Sequence, residues 1–563
     1  MINTKTASQG IKLILCWIAF HTFLLSQAAV VVADGSPRII TIVNFIRQTD
    51  YRLKDADSLL FDATERELAL MKKYQLSGTF LLQYDALINP KYQTLLKGES
   101  PTEIEVGAWW EITQPHVEAA GIKWRGKHPW VSTANIAFTT GYTQQERERL
   151  VDVYMEKFKA VFGRYPKSVG SWFIDSHTLG YMYKKYQIVA SSNCKDQVGT
   201  DGYTLWGGYW NQAYYPSVYN AYMPAQSTEN QIPVPVFRML GSDPIYQYDL
   251  GVGTGGQGVI TLEPVYEDGG MDKKWTRSFF NAIVDQPSLA FNYAQAGQEN
   301  SFTWDAMKKG LEMQFPMIDS LRKVGKVRVQ TLEEAGRWFS EQFPQTPATA
   351  VVALDDYREQ GNKSIWYNSR FYRANLYWEK NAFRVRDIHL FDEHFKSLYL
   401  DKPGTEGQFY YFTLPLVDGF FWSTKTERAG LRIMHKKANG EGEELILQAP
   451  SVTEPDHKTL EVRSRDQYGN LFVILLKEKE LSLRCEPKQK DLKWFFELKV
   501  PTEKQTILPF KNIAQQEIAA VFKDHAFRVR CKKGTLLTGK DASFVFQVHP
   551  QKQQLALDLG IGN

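Results

Sequence analysis

Four acidic residues each follow a short apolar run, and this placement is the clearest sign of chemistry in the chain. They are Glu111, Asp175, Asp243 and Glu299. Asp175 ends the run 168–174, and the residues after it have the spacing of a helix. A strand that carries an acid at its carboxyl end and then turns into a helix is typical of active sites in β/α barrels. Asp175 is therefore the leading catalytic candidate.

Two carboxyl groups, one on each side of the scissile bond, are what hydrolysis of a glycosidic bond requires. One donates a proton to the leaving oxygen, and the other attacks the anomeric carbon or activates a water molecule. Asp243 precedes a proline that keeps its backbone extended, and Glu299 comes just after a run that reads as a buried strand. The sequence leaves open which acid has which role. It also leaves open that an individual acid only caps a helix.

Aromatic residues are dense between Tyr203 and Tyr222, where glycines and prolines favour a loop over a regular element. Aromatic rings pack against the apolar faces of pyranoses, so this loop is predicted to bind sugar, although it can instead fold over the barrel mouth and pack on itself. The predicted substrate-binding residues are Arg47, Trp110, His116, Trp172, His177, Asp201, Tyr203, Trp206, Trp210, Asn211, Tyr214, Tyr215 and Gln298.

Metal ligands and cofactor motifs are scarce. His116 and His177 lie near two of the acidic residues, but a metal site needs at least three well-placed ligands. Hydrogen-bonding or capping roles are the preferred interpretation of both histidines. The glycine-rich stretch 251–258 lacks the Lys-Ser/Thr of a phosphate-binding loop and is predicted to be a flexible loop. We expect neither a metal nor a cofactor.

The elements that position these residues change character along the chain. From about residue 36 to 345, strand-like runs alternate with amphipathic segments, two of which open with the capping boxes Thr143–Glu146 and Thr331–Glu334. This pattern predicts an α/β fold of parallel β/α units, and the acidic residues at the strand ends favour a barrel. Beyond a proline-containing break, residues 350–563 alternate as half-buried antiparallel strands do, which predicts an all-β sandwich domain.

The first 33 residues are predicted to be a cleaved signal peptide, with an uncleaved anchor as the alternative. The protein is then expected to be secreted or periplasmic, with no later membrane span. Removing the segment lowers the net charge from +4 to +2, too balanced to favour nucleic acid as a partner. Of the three remaining cysteines, Cys485 and Cys531 lie on strand-like stretches and either pair or stay as buried thiols.

Residues 38–345 resemble the glycoside hydrolase/deacetylase superfamily of irregular β/α barrels, which includes glycoside hydrolase family 57, the alpha-mannosidases and the NodB-like deacetylases. Val169–Asp175, followed by Leu179-Gly180-Tyr181 and Tyr186-Gln187-Ile188, is similar to the family 57 stretch that bears the nucleophile. Gly78–Leu82 resembles the second strand of the superfamily. The resemblance implies an irregular (β/α)7-type barrel. It also implies that Asp175 corresponds to the nucleophile and that Asp243 or Glu299 corresponds to the proton donor.

The chain departs from each named family in residues that matter for chemistry. Family 57 has Glu where this chain has Asp175, and its first-strand histidine motif is replaced by Asn44-Phe45-Ile46-Arg47. The deacetylases bind a metal through a first-strand Asp and two third-strand histidines. Here the third strand offers only Glu111 and His116, and the alpha-mannosidase zinc motif is missing as well. No named family is therefore assigned.

The favoured hypothesis is an exported glycosidase that acts on an oligo- or polysaccharide through paired carboxylates at the barrel mouth. A metal-dependent polysaccharide deacetylase is the first alternative, and it requires a bound ion. The second alternative is a non-catalytic glycan-binding protein whose barrel has lost enzymatic activity. Turnover, metal content and sugar binding separate the three hypotheses.

Overall fold

Parallel strands form the centre of the α/β region. The computed structural model describes residues 35–100, 102–437, 442–488, 492–539 and 544–561, so the predicted signal peptide lies outside it. Eleven strands belong to this region: β1 (Arg38–Ile46), β2 (Gly78–Leu82), β3 (Ile104–Trp109), β4 (Ser168–Gly170), β5 (Ala190–Asn193), β6 (Gln197–Thr200), β7 (Tyr203–Trp206), β8 (Ala213–Tyr214), β9 (Val236–Arg238), β10 (Asn292–Ala296) and β11 (Arg328–Gln330).

Seven of these strands run parallel in the order β10-β1-β2-β3-β4-β5-β9 and curve into a nearly closed barrel. Strand β8 extends the β9 edge in the antiparallel direction, and β11 pairs with β1. Within the described residues no strand pairing joins β9 to β10, which leaves the barrel irregular at that point. The predicted irregular (β/α)7-type barrel is confirmed.

Helices fill the connections between the barrel strands. They are α1 (Ala56–Tyr74), α2 (Tyr84–Ile88), α3 (Pro90–Leu96), α4 (Gln114–Ala119), α5 (Ala134–Ala137), α6 (Gln144–Phe162), α7 (Ser176–Tyr186), α8 (Lys273–Val284), α9 (Thr303–Lys323) and α10 (Leu332–Gln342). Both predicted capping boxes are present, at the starts of α6 and α10. No helix in the described ranges is long and apolar enough to cross a membrane.

The run that ends at Asp175 is strand for only its first three residues. After β4 the backbone leaves the regular strand, although the Ser171 amide still donates to the Ser192 carbonyl of β5 at 3.1 Å, and side chains supply further bonds. Ser171 Oγ donates to the Trp110 carbonyl at 2.8 Å, and the Ile174 amide donates to Asn193 Oδ1 at 3.1 Å. Asp175 then caps α7 by accepting a hydrogen bond from the Thr178 amide.

The aromatic segment after Cys194 is more regular than the predicted loop. Strands β6 and β7 form a hairpin whose turn residues, Asp201 and Gly202, have φ values of 52° and 77°. Positive φ at both turn positions is the signature of a tight hairpin turn, and Asp-Gly is a preferred pair there. A strand from the second half of the chain, β16 below, pairs with β7 in parallel.

The second half of the chain is all-β. Its strands are β12 (Thr349–Ala353), β13 (Lys363–Asn368), β14 (Tyr372–Glu379), β15 (Ala382–Leu390), β16 (Phe409–Phe412), β17 (Leu414–Asp418), β18 (Gly430–Lys436), β19 (Gly442–Glu444), β20 (Ser451–Asp456), β21 (Thr459–Arg465), β22 (Leu471–Lys477), β23 (Glu480–Glu486), β24 (Trp494–Lys499), β25 (Phe510–Ala514), β26 (Glu517–Phe522), β27 (His525–Lys533), β28 (Thr535–Thr538), β29 (Phe546–His549) and β30 (Gln554–Asp558).

Two antiparallel sheets contain most of these strands, in the orders β12-β13-β14-β15-β18-β24-β29-β28 and β20-β21-β22-β23-β30-β27-β26-β25. Side chains from both sheets share one apolar core; the rings of Phe472 and Trp494, for example, lie 5.4 Å apart. The predicted sandwich is confirmed. Cys485 and Cys531 are both free thiols, because β30 lies between their strands. The division into domains at 36–345 and 350–563 stays a prediction.

A buried ion network fastens the sandwich to the barrel. Asp196, just after β5, accepts hydrogen bonds from Arg238 Nη2 at 2.7 Å and from Arg373 of β14. Arg373 also binds Asp387 of β15 through two hydrogen bonds of 2.8 Å. The four side chains are nearly inaccessible to solvent, so each charge depends on the others for compensation.

Candidate active site

A cavity of about 320 Å³ opens at the carboxyl ends of the barrel strands. Residues within three positions of the ends of six of the seven parallel strands contribute to its wall: Arg47 after β1, Glu111 after β3, Trp172 after β4, Lys195 after β5, Leu240 after β9 and Glu299 after β10. The carboxyl ends of parallel strands meet at one mouth, which is where barrel enzymes place their chemistry. The cavity is therefore the candidate active site.

Arg47 links two carboxyl groups on the cavity wall. Its Nε and Nη2 donate to the two oxygens of Glu111 at 2.9 and 2.8 Å. Its Nη1 donates to Glu299 Oε1 at 3.0 Å, and the guanidinium lies 4.2 Å from the centre of the Trp130 ring. All three charged side chains are buried, and the two-pronged pair with Glu111 fixes the guanidinium plane.

Glu111 and Glu299 differ in how their oxygens are used. Glu111 Oε2 also accepts hydrogen bonds from Gln83 and Trp109, so this carboxylate is saturated with donors. Glu299 binds Arg47 and Ser301 through Oε1, and its buried Oε2 atom has no hydrogen-bond partner among the residues that the structure describes. Glu299 is thus the carboxyl group that retains an oxygen for further bonding.

Burial raises the pKa of Glu299 to about 7. The negative charge of Glu111 contributes in the same direction, while Arg47 and the Ser301 hydroxyl oppose the shift. A carboxyl group with a pKa near neutrality is partly protonated at physiological pH. Such a group can donate a proton to one atom and later remove one from another, which is the requirement for general acid–base catalysis.

A second group of charged residues faces the cavity from the β6–β7 hairpin and nearby loops. Asp201 sits at the hairpin tip and makes no hydrogen bond or ion pair within the described part of the chain. Glu263 accepts hydrogen bonds from Thr261 at 2.6 Å and Gln298 at 2.8 Å. The buried ammonium of Lys195 donates only a long hydrogen bond, 3.4 Å, to the Asp196 carbonyl.

Aromatic side chains supply much of the remaining wall: Trp130, Phe138, Trp172, Tyr203, Tyr266 and Phe302. Trp172 is held edge-on by Phe45 and Trp109, at ring distances of 5.5 and 5.2 Å, and it stays partly accessible. A concave site with aromatic walls and a few converging polar groups fits a ring-shaped polar ligand.

Asp175, the leading candidate from the sequence, is placed away from this cavity. Its Oδ1 accepts hydrogen bonds from Arg147 at 2.9 Å and from the Thr178 amide. Its Oδ2 accepts from the hydroxyls of Thr139 and Thr178, both at 2.7 Å. Burial favours a higher pKa, but Arg147 and these hydrogen bonds outweigh it and hold the pKa of Asp175 below its ordinary value. These contacts are those of a helix cap and ion pair.

Asp243 also lies outside the cavity lining. It accepts hydrogen bonds from the amides of Ile245 and Tyr246 and, at 2.8 Å, from the Trp275 indole.

The two predicted histidines also lie outside the cavity lining. His116 binds the Leu150 carbonyl in the core, where burial lowers the pKa of His116 to about 4, and His177 binds Glu148 on the surface. The other predicted residues that are not part of the cavity lining are Trp110, Trp206, Trp210, Asn211, Tyr214, Tyr215 and Gln298, of which Gln298 bonds to the lining residue Glu263.

The cavity therefore brings together Arg47, Glu111, Trp172, Asp201, Tyr203 and Glu299 from the predicted set. It adds residues that the sequence reasoning missed: Asp50, Arg52, Trp130, Lys195, Glu263 and Tyr266. The sequence could have indicated Lys195, because this residue comes two positions after the end of β5, where barrel side chains reach the mouth. Trp130 and Glu263 lie in long connections with no nearby strand end, so no local pattern marked them.

The residues at the barrel mouth do not fit a metal ion of the deacetylase type. Within the described ranges no three His, Cys, Asp or Glu side chains are grouped so that they could hold a metal. Two of the acids that line the cavity, Glu111 and Glu299, already share a fixed cation in Arg47. A guanidinium between the two carboxyl groups takes the position and the charge that a metal would need.

One comparison with known proteins supports the fold. No protein-family model matches the chain, and no curated protein matches it significantly. A solved structure from Parabacteroides distasonis, provisionally described as a glycoside hydrolase/deacetylase, is 14% identical, with a TM-score of 0.50. The match covers 67% of this chain and 90% of that one. The resemblance in fold to the glycoside hydrolase/deacetylase barrels is thereby confirmed.

Two further structures are similar over different lengths but carry no weight, because their TM-scores are below 0.5. A provisional polysaccharide deacetylase from Mycobacterium smegmatis is 11% identical over 56% of this chain and 94% of its own, with a TM-score of 0.36. A 4-alpha-glucanotransferase from Thermococcus litoralis is 10% identical over 92% of this chain and 97% of its own, with a TM-score of 0.30.

Proposed function

We propose that the protein is a carbohydrate-active enzyme that hydrolyses glycosidic bonds in an oligo- or polysaccharide. The single observation that carries the proposal is Glu299, a buried cavity carboxyl with a pKa of about 7 and an oxygen that lacks a hydrogen-bond partner. The barrel, which is shared with a provisional glycoside hydrolase/deacetylase, and the aromatic cavity wall support the proposal. An extracellular or periplasmic location is proposed from residues 1–33 alone.

Glu299 is proposed to be the general acid. In its protonated form it donates to the glycosidic oxygen, so that the leaving group departs as a neutral alcohol. Arg47 holds the Glu299 side chain in one orientation, and Glu111 holds Arg47. Burial keeps the proton on Glu299 near neutral pH, while the saturated Glu111 stays a positioning residue.

Asp201 is proposed to be the second carboxylate. It belongs to the hairpin rather than to the strand ends that carry Glu299, and its oxygens are free of protein partners within the described residues. Asp201 is exposed to solvent, whereas Glu299 is buried, and two carboxyl groups in different environments are the usual basis for different roles in glycosidases. Desolvation raises the pKa of Asp201, and the positive charge of Arg47 opposes this shift. Asp201 would attack the anomeric carbon or remove a proton from the attacking water.

The function is tested by incubating the wild type and Asp201→Asn with a panel of glycans. The products are assayed for new reducing ends and for free acetate. Asparagine tolerates a positive φ, so the hairpin tip should keep its shape. We expect reducing ends from the wild type and a loss of about 10²-fold or more in the variant. Exposed Glu267→Gln is the control and should behave as wild type. Acetate without reducing ends would contradict the proposal.

The pH profile should follow the titration of Glu299. Because the protonated form is required, kcat/KM is expected to fall about tenfold per pH unit above the pKa of about 7. The Ser301 hydroxyl stabilises the ionised form, so Ser301→Ala should move this alkaline limb to higher pH. If the alkaline limb of the Ser301→Ala profile lies at the same pH as that of the wild type, Glu299 is not the titrating group.

A further inference from the structure

Two segments meet at the edge of the cavity through a pair of stacked rings. Tyr51, between β1 and α1, lies parallel to His128, with ring centres 4.4 Å apart and an interplanar angle of 8°. Tyr51 is 47% exposed and His128 is exposed as well. The Tyr51 ring is 6.0 Å from Trp130, which lines the cavity. We call Tyr51 and His128 the rim platform.

The rim platform is rigid on both sides. Asp50 is buried and accepts hydrogen bonds from the Arg52 amide at 2.9 Å and from Arg52 Nε at 2.8 Å, and its own carbonyl accepts from the Leu53 amide. This turn fixes the Tyr51 backbone. On the other side, the Trp124 indole donates to the His128 carbonyl at 3.0 Å.

The platform is continuous with the catalytic cluster. Asp50, Arg52 and Trp130 line the cavity, so the rings of Tyr51 and His128 border its lining on the outside. Trp130 contacts Arg47, which in turn holds Glu299. The indole Nε1 of Trp130 is a buried donor without a hydrogen-bond partner. A chain of sugar rings that leaves the cavity on this side would next meet the exposed rings.

Exposed, pre-ordered aromatic rings bind flat apolar faces at little entropic cost. We infer that the rim platform is a subsite for a further pyranose ring, and that the substrate is therefore an oligosaccharide longer than the cavity holds. This inference rests on the proposed function and specifies its substrate class. The competing structural role is that the stacked rings only tie two loops together.

The test compares long and short ligands in the full mature chain. Hexasaccharides and monosaccharides of glucose, xylose, mannose, N-acetylglucosamine and glucuronic acid are titrated calorimetrically into wild type, Tyr51→Ala and Tyr468→Ala. Tyr468 is the control, because it is similarly exposed but lies in a turn of the sandwich. Tyr51→Ala is expected to weaken hexasaccharide binding by about 3- to 10-fold and to leave monosaccharide binding unchanged.

Equal weakening of long and short ligands would overturn the subsite, since loss of a loop brace distorts the whole cavity. The subsite is also overturned if no hexasaccharide binds wild type more tightly than its monosaccharide. Failure of the proposed function looks different: the protein would bind long chains in a Tyr51-dependent manner yet release no reducing ends.

Discussion

Glu299→Gln is expected to cleave glycans about 10²- to 10⁴-fold more slowly than the wild type, because a positioned proton donor contributes on that scale. Glutamine keeps the side-chain shape and an oxygen that can accept from Arg47 Nη1, so the cavity should persist. It carries no proton that it can transfer to the leaving oxygen. Initial rates of reducing-end release, measured below pH 7, are the direct readout.

The control for this variant is Glu267→Gln, the same chemical change at an exposed position in the loop after Glu263. Thermal unfolding of Glu299→Gln should be cooperative and close to that of the wild type. The assignment also predicts that leaving groups of low pKa, which need no protonation, lose less rate in the variant. Undiminished turnover of a natural glycan would remove Glu299 from the mechanism.

Asp175→Asn is expected to cost about 3–5 kcal/mol of unfolding free energy, because it leaves the buried Arg147 guanidinium without its counter-charge. In the wild type the Thr139 and Thr178 hydroxyls donate to the Asp175 carboxylate, and in the variant they would face an asparagine amide instead. Urea unfolding monitored by tryptophan fluorescence measures the loss. Asp62→Asn, which breaks an exposed pair within α1, is the control and should be indistinguishable from the wild type.

The pH dependence of this stability difference has a definite sign. The folded protein holds the pKa of Asp175 below its unfolded value, so the ion pair contributes fully above the unfolded pKa. Its contribution is lost as the pH falls through the folded pKa. The gap between the wild type and Asp175→Asn should therefore be complete at pH 7 and narrow only in acid. A stable variant without turnover would restore Asp175 as a catalytic residue.

The contrast between Asp175 and Glu299 shows how far local sequence reasoning reaches. Both acids follow apolar runs, and the alternation of runs and amphipathic segments was enough to predict the barrel. The difference between them depends on remote partners. Arg147 of α6 lies 28 residues before Asp175, and Arg47 lies 252 residues before Glu299. No local periodicity or motif in the sequence predicts which acid will have both oxygens hydrogen-bonded and which will keep an oxygen without a partner.

The aromatic segment shows a second limit. Its density and its glycines predicted a sugar-binding loop, yet of its aromatic residues only Tyr203 lines the cavity. Trp210 instead stacks on Trp366 of β13 at 4.3 Å, and the Trp206 indole donates to Asp418 of β17. Both partners belong to the sandwich. The sequence of this segment alone does not indicate that β13 and β17, which follow much later in the chain, pack against it.

The pairing of β7 with β16 has a consequence for biosynthesis. Residues 203–206 pair with β6 on one side, and they acquire a neighbour on the other side only when residues 409–412 have emerged, which takes roughly 10 to 40 s at ribosomal rates of about 5–20 residues per second. During that interval the nascent chain exposes an unpaired β edge, a known starting point for aggregation. The hairpin that bears Asp201 therefore gains its second neighbour late, and a truncated chain that ends after α10 would leave the outer edge of β7 unpaired.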